Sequence, residues 1–355
     1  MSRVQHFVSI SGGKDSTAVA CLAVERMERR GGGNLPTRFL FADTGNEHPA
    51  TIEHVAYLGD KLGIQIETVR ANFDHDFTVR RENIRADWSR EKRRTEHTAA
   101  CKERRSAGAD WRDHCQCPVR ISPPVAADMI DRAISLLHPT GNPFLDLCMI
   151  KGRFPGVKTR FCTDELKLVP MDAIKRPLLD DGISIVEWIG ERAAESRVRA
   201  KKPRLERIRW TNNANRILYR PIHSWSAEEV FAIAARHGLK PNPLYLQGMG
   251  RVGCMPCIMC KKGELAQIAR RFPDEIARIR QWETIVQGVA RRQDATFFCA
   301  KMVPGEGNTR AAIDRAVAWS RTSRGGVFYD LEIAAQDAEY QDEGAMCESA
   351  YGLCE

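Results

Sequence analysis

Apolar residues along this chain gather into short strand-length runs that alternate with amphipathic, helix-spaced stretches. Residues 4–10, VQHFVSI, are mostly apolar and β-branched and carry no helical face. Gly12 and Gly13 follow. From Ser16 the spacing changes, with Ala18, Cys21, Leu22 and Val24 recurring every three or four residues until the glycines at 31–33. Residues 37–42, TRFLFA, predict a second buried strand, 64–69 a third, and 183–189, ISIVEWI, a fourth. Strands that alternate with helices predict an α/β fold, a doubly wound and mostly parallel sheet covered on both faces. At 72–120 the pattern breaks into charged, aromatic and cysteine-bearing sequence, expected to be an insertion that serves as a flexible lid or a partner surface. Beyond residue 260 the pattern is helical, with PDEIARIRQWETIVQGVA amphipathic. The expected division is therefore 1–260, a helical region at 261–335 and an acidic tail at 336–355. No internal repeat is present.

Charge and cysteine content narrow the chemistry. The formal charge of +8 is modest, but residues 80–105 and 192–209 are dense in Arg and Lys. Such runs suit a polyanionic partner, although solvated helix faces produce them too. No run of about 18 apolar residues exists, so no membrane span is expected. The chain enters a strand at once, without a charged leader and apolar core, which predicts a cytoplasmic protein. For such a protein the twelve cysteines point to metal binding or redox chemistry rather than to a disulfide framework.

Two clusters carry the chemistry. A glycine turn between a strand end and a helix start leaves several backbone N–H groups aimed into one space, where the helix dipole adds positive potential. That arrangement binds anions, phosphates especially. Lys14 adds a mobile charge, and Ser11 and Ser16 add hydroxyls. The string Ser-Gly-Gly-Lys-Asp-Ser is neither a Walker A loop nor a dinucleotide fingerprint. It resembles the pyrophosphate loop of the N-type ATP pyrophosphatases. The other cluster is Cys254, Cys257 and Cys260 in C-x2-C-x2-C, with Pro256 inside. Thiolates so spaced grip one metal ion or adjacent corners of an iron–sulfur cube, leaving a fourth ligand to come from elsewhere; zinc is the rival to a 4Fe-4S cluster. Cys101, His114, Cys115 and Cys117 form a less regular group of ligand types, and Cys347 and Cys354 lie in the tail.

Four further stretches extend the likeness. LFADTGNEHPAT, RFCTDELKLVP, GERAAESRVR and the long YRPIHSWSAEEVFAIAARHGLKPNPLYLQGMGRVGCMPC resemble, in this order, segments of the phosphoadenosine phosphosulfate (PAPS) reductase family. With the SISGGKDST loop they cover about residues 4–260, interrupted by the insertion. The resemblance implies an adenine-nucleotide α-hydrolase-like, Rossmann-like fold. It implies that Ser11, Gly12, Gly13, Lys14, Asp15 and Ser16 hold the phosphates of ATP, with Mg²⁺ shared by Asp15. It places Asp43 beside the nucleoside, Arg192 and Arg197 toward the anionic group, and Lys167 near the cluster or the nucleotide. It assigns Cys162, Cys254 and Cys257 as cluster ligands, with Cys260 the natural fourth.

Departures from the family separate the readings. Assimilatory reductases typically end in a glutamate–cysteine–glycine–histidine motif and often carry a degraded loop; here the chain ends YGLCE and the loop is intact. An intact loop belongs to members that attack the α-phosphate of ATP and expel pyrophosphate. One reading is therefore an ATP pyrophosphatase that adenylates an oxygen of DNA or RNA for sulfur insertion, resembling the corresponding component of DNA phosphorothioation systems. It would draw sulfur from a donor such as a cysteine desulfurase. A second reading is a reductase of PAPS or a related adenosine sulfonucleotide, and a third a non-catalytic nucleotide sensor.

Overall fold

The computed structural model describes residues 4–29, 35–107, 115, 117–211, 213–298 and 312–322. Its centre is a six-stranded sheet built from β1 (Val4–Ile10), β2 (Thr37–Asp43), β3 (Ile66–Arg70), β6 (Ser184–Trp188), β7 (Leu205–Arg209) and β8 (Asn215–Tyr219). The order is β3-β2-β1-β6-β8-β7, with every pair parallel except β7–β8. The remaining strands, β4 (Lys92–Thr95) and β5 (Val119–Ser122), form a separate antiparallel pair.

Side-chain alternation assigns each sheet face its cover. Val8 and Ile10 of β1 and Phe39 and Phe41 of β2 point to one side. There they bury against α1 (Lys14–Arg29), α2 (Pro49–Leu62) and the helix Ala227–Arg236. Phe7, Leu40, Ala42 and Ile185 point to the other, against Met171 and Leu179 of the helix Val169–Asp180. Strands buried on both faces read as near-continuous apolar runs, the pattern that made β1, β2 and β6 visible. The charges at the centre did not show in that pattern. Glu187 of β6 is 5% exposed, receives Lys175 Nζ at 2.5 Å and also pairs with Arg216 of β8.

A third body of helices stands beside the sheet. Its core joins Phe77, Ile84 and Trp88 of the helix Asp74–Trp88 to Phe144 and Met149 of the helix Pro143–Lys151. It also takes in Ile279 and Trp282 of the helix Pro273–Gly288 and Ile313 of the helix Ile313–Ser320. The helix Asp74–Trp88, inside the segment expected as an insertion, thus contributes to a main core, and so do the helices after residue 260.

His54 on α2 illustrates what burial beside the loop face does. It is 6% exposed and stacked on Tyr57, and burial pushes its pKa down from 6.5 to about 4. Below pH 6.5 the unfolded chain takes up a proton that the folded chain refuses until about pH 4, so stability falls as pH falls through that window. Urea titrations at pH 7.5 and pH 5 should show a loss of about 2 kcal/mol from this residue. His54→Phe should remove that part of the pH dependence; an unaltered pH slope in the variant would refute the assignment.

Candidate functional site

The sheet changes direction between β1 and β6, since the chain runs outward from β1 to β2 and β3 on one side and from β6 to β8 on the other. Open α/β sheets bind ligands beyond the carboxyl ends of strands at such a switch point. Here the loop after β1 and the loop after β6 meet. A Cβ on Gly190 would stand 3.0 Å from the carbonyl carbon of Asp15, so a larger residue would press on the start of α1. Gly12 has φ +73°, and a Cβ there would lie 2.7 Å from Thr51 Cγ2. Glycine is required at 12 for both reasons.

The loop is braced internally. Ser16 Oγ donates to the Gly13 carbonyl at 3.0 Å and accepts from Ser11 N–H at 3.1 Å and from Ser11 Oγ at 3.0 Å. Asn242 Nδ2 donates to the Gly12 carbonyl at 3.1 Å, and Lys14 N–H donates to Tyr245 Oη at 3.0 Å. Asp15 lies between two cations, with Arg192 Nε at 2.5 Å and Lys14 Nζ at 3.6 Å. Arg192, expected to face an anion, is fully buried with its guanidinium on Asp15 and near the Trp225 carbonyl; Arg197 is exposed at the start of the helix Arg197–Ala200. Asp43 closes β2, where it accepts from Gly45 N–H at 2.9 Å and pairs with Arg70 at 3.4 Å.

The cysteine turn packs against this loop assembly. Its approach passes over Gly13, whose Cβ position lies 3.5 Å from the Val252 carbonyl oxygen. Residues 44–47 grip it along the backbone. Met255 N–H donates to the Asn46 carbonyl at 2.8 Å, Asn46 Nδ2 donates to the Pro256 carbonyl at 3.0 Å, and Glu47 forms a bridge with Cys254. Arg278 of the helix Pro273–Gly288 adds bonds to Asn46 Oδ1 at 3.0 Å and to the Met255 carbonyl at 2.5 Å. Thr44, Asn46 and Glu47 are all buried, so these polar groups replace water with one another.

Three thiols belong to this turn and Cys162 lies near them, with the charged groups of Glu47, Lys167, Arg251 and Glu264 close by. Burial pushes Cys254 up to about 12 and raises Cys162 and Cys260 as well. Cys257 lies near enough to Cys162, Cys254 and Cys260 to add to that rise. Lys167 is held more firmly charged, by Cys254 most strongly and against the cost of burial, with Glu47, Cys257 and Cys162 adding to the effect. The helix Phe161–Thr163 and the short segment after it therefore bring Cys162 and Lys167 near the turn from a distant part of the chain. No three of these four sulfurs lie within 4.8 Å of one another, so they are spread more widely than the corners of one zinc tetrahedron, and a soft thiolate set with an adjacent ammonium suits the wider spacing of an iron–sulfur cluster. A buried fifth thiol, Cys148, lies close enough to Cys162 to feel its charge. In the sequence it was indistinguishable from the apolar residues around it.

Cys101, Cys115 and Cys117 lie instead with the β4–β5 pair, where their histidine neighbour is His97; His114, Cys347 and Cys354 lie outside the described residues. No described helix is long and apolar enough to cross a membrane.

The family model described as phosphoadenosine phosphosulfate reductase domain matches residues 5–260. An uncharacterized 37.8 kDa protein in the gpa 5′ region of Escherichia phage 186 is 41% identical over 360 residues, covering 99% of this chain and 96% of that protein. An adenosine 5′-phosphosulfate reductase of Streptomyces coelicolor is 37% identical over 68 residues, 19% of this chain and 28% of that enzyme. The crystal structure of a phosphoadenylyl-sulfate reductase from Candida auris in a phosphate complex aligns with 71% of this chain and 82% of its own, with 12% identity and a TM-score of 0.35.

Arg192→Met should lower stability in urea by about 2–3 kcal/mol, less than for a wholly buried pair because Asp15 keeps some exposure. A change under 0.5 kcal/mol would mean that the pair does not organise the loop.

Proposed function

The chain belongs to the phosphoadenosine phosphosulfate reductase family, and from that premise we propose that it is an ATP pyrophosphatase that activates an oxygen of a nucleic acid for replacement by sulfur. The observation that carries this reading is the intact, internally braced loop at the start of α1, with Lys14 and Asp15 in place beneath the cysteine turn. The attacking oxygen would bond to the α-phosphorus of ATP and break its bond to the β-phosphate bridge, leaving an adenylated oxygen and pyrophosphate. Ser11, Gly12, Gly13 and Ser16 would hold the phosphates, and Lys14 with the helix N-terminus would offset the charge gathering on the departing pyrophosphate. Mg²⁺ would assist at Asp15, whose carboxylate also holds Arg192. Asp43 stands at the strand end where the nucleoside would lie.

Cys162, Cys254, Cys257 and Cys260 would hold a 4Fe-4S cluster, with zinc the alternative, and a cluster supplies a site where sulfur or electrons can be held. Lys167 would offset the negative charge of the thiolates. The sulfur donor in this reading is a separate protein such as a cysteine desulfurase. The polyanion would lie along basic surface that includes Lys92, Arg93 and Arg94 of β4 and Arg207 and Arg209 of β7, all exposed. A second reading, reduction of PAPS or a related sulfonucleotide, draws support from the local likeness to adenosine 5′-phosphosulfate reductases.

Pyrophosphate release from ATP by anaerobically purified protein, with and without duplex DNA, tests the first reading. Release that DNA stimulates is expected. Asp15→Asn, which keeps an oxygen acceptor for Arg192, should reduce it at least a hundredfold with the melting transition preserved. Absence of release, in protein that reduces PAPS when given a thiol reductant, would move the assignment to the second reading. Cys257→Ser should strip the iron from the anaerobic protein, and full iron retention would place the cluster elsewhere.

A further inference from the structure

The segment between the helix Asp74–Trp88 and the helix Ala127–Leu136 is folded yet has no core. Among the described residues between Trp88 and Ile130, none is buried, and Val119 and Ile121 of β5 are 52% and 53% exposed. Its two feet are pinned. Val125 N–H donates to the Trp88 carbonyl at 2.8 Å, and the Arg291 guanidinium donates to the carbonyls of Asp87, Arg90 and Pro123 at 3.0–3.2 Å. Above them, among the described residues, stand the four-residue β4–β5 ladder and the helix Ala99–Ser106. An isolated two-stranded pair is marginal in water, and units below roughly 40 residues usually need a disulfide, a metal or a partner to hold them.

The distal end supplies such a device. The ligand atoms of His97, Cys101, Cys115 and Cys117 all lie within 4.8 Å of one another. His97 Nδ1 is 3.3 Å from Cys101 Sγ and 3.4 Å from Cys115 Sγ, and the two sulfurs are 3.7 Å apart. Zinc–thiolate bonds of about 2.3 Å set tetrahedral sulfurs roughly 3.8 Å apart, so these spacings match the edges of one mononuclear tetrahedron. A cubane holds its cysteine sulfurs farther apart than this. Local structure aims the ligands. Thr98 caps the helix Ala99–Ser106 by accepting from Cys101 N–H at 3.3 Å, and its own N–H points at Cys117 Sγ at 3.4 Å. The Glu96 N–H bond to the Pro118 carbonyl, at 2.8 Å, closes the ladder directly below.

We propose that His97, Cys101, Cys115 and Cys117 form a structural zinc site, distinct from the cysteine turn at 254–260, that holds the β4–β5 ladder and the helix Ala99–Ser106 in shape. The site is closed, with four protein ligands and no open position, as structural rather than catalytic zinc sites are. Because the described residues of the unit bury no apolar side chain, metal binding supplies its folding energy. Through that fold the metal sets the arrangement of Lys92, Arg93, Arg94 and Arg120 along one exposed ladder.

Metal analysis of full-length protein, purified under reducing conditions and supplied with zinc alone, tests the site. One equivalent of zinc is expected, retained in Cys257→Ser and lost in Cys115→Ser and in Cys117→Ser. Cobalt substitution should give intense thiolate-to-metal bands that persist in Cys257→Ser. Chelation should open protease cleavage within 92–122 while the remaining chain stays resistant. Full zinc retention in both Cys115→Ser and Cys117→Ser would overturn the proposal. Zinc lost from Cys257→Ser alone, or a metal-free Cys101–Cys115 disulfide, would overturn it too.

Discussion

The backbone pairing of Asn46 with Met255 is the contact on which the rest of the site depends. It joins the loop after β2 to a turn two hundred residues later, with Asn46 Nδ2 on the Pro256 carbonyl and Arg278 bonded to both sides. Asn46, Met255 and Pro256 are shut away from water, so loss of one partner would strand another without a hydrogen bond. The thiols are thereby fixed relative to the sheet edge rather than carried on a free arm. Tyr245 supplies the second tie, because its hydroxyl accepts the N–H of Lys14 at the first turn of α1.

Charge is distributed in a way that suits two neighbouring anionic sites. At the loop, the carboxylate of Asp15 is held between Lys14 and the buried Arg192. At the turn, Lys167 sits near Cys254 and Cys162, whose thiols burial holds in the protonated form, so a cation bound there would displace protons as it enters. The two regions touch where the Val252 carbonyl passes over Gly13. A ligand at the loop and a metal at the turn would therefore share one wall.

Legibility from the sequence followed burial. β1, β2 and β6 are covered on both faces and wrote themselves as apolar runs, and the glycine loop followed β1 where expected. β7, an edge strand with sequence LERIR, and the polar β4 carry no such signal. The helix Asp74–Trp88 has only three buried residues on an otherwise charged surface, which hid its part in the core. Motif spacing exposed Cys254, Cys257 and Cys260, but their neighbours Glu47, Tyr245 and Arg278 were unreadable as such because the contacts span many residues. His97 stands eighteen residues before Cys115, and its approach to that thiol depends on the turn of the chain, which sequence spacing does not display.

The contacts of Asn46 and Tyr245 make the loop and the cysteine turn one mechanical unit. Amide hydrogen exchange with and without a non-hydrolysable ATP analogue measures this without need of turnover. Slowed exchange is predicted together in residues 11–17, 44–47 and 252–256, with residues 92–122 unchanged. Protection confined to residues 11–17 would show that the nucleotide loop and the thiols are independent, and would contradict the account.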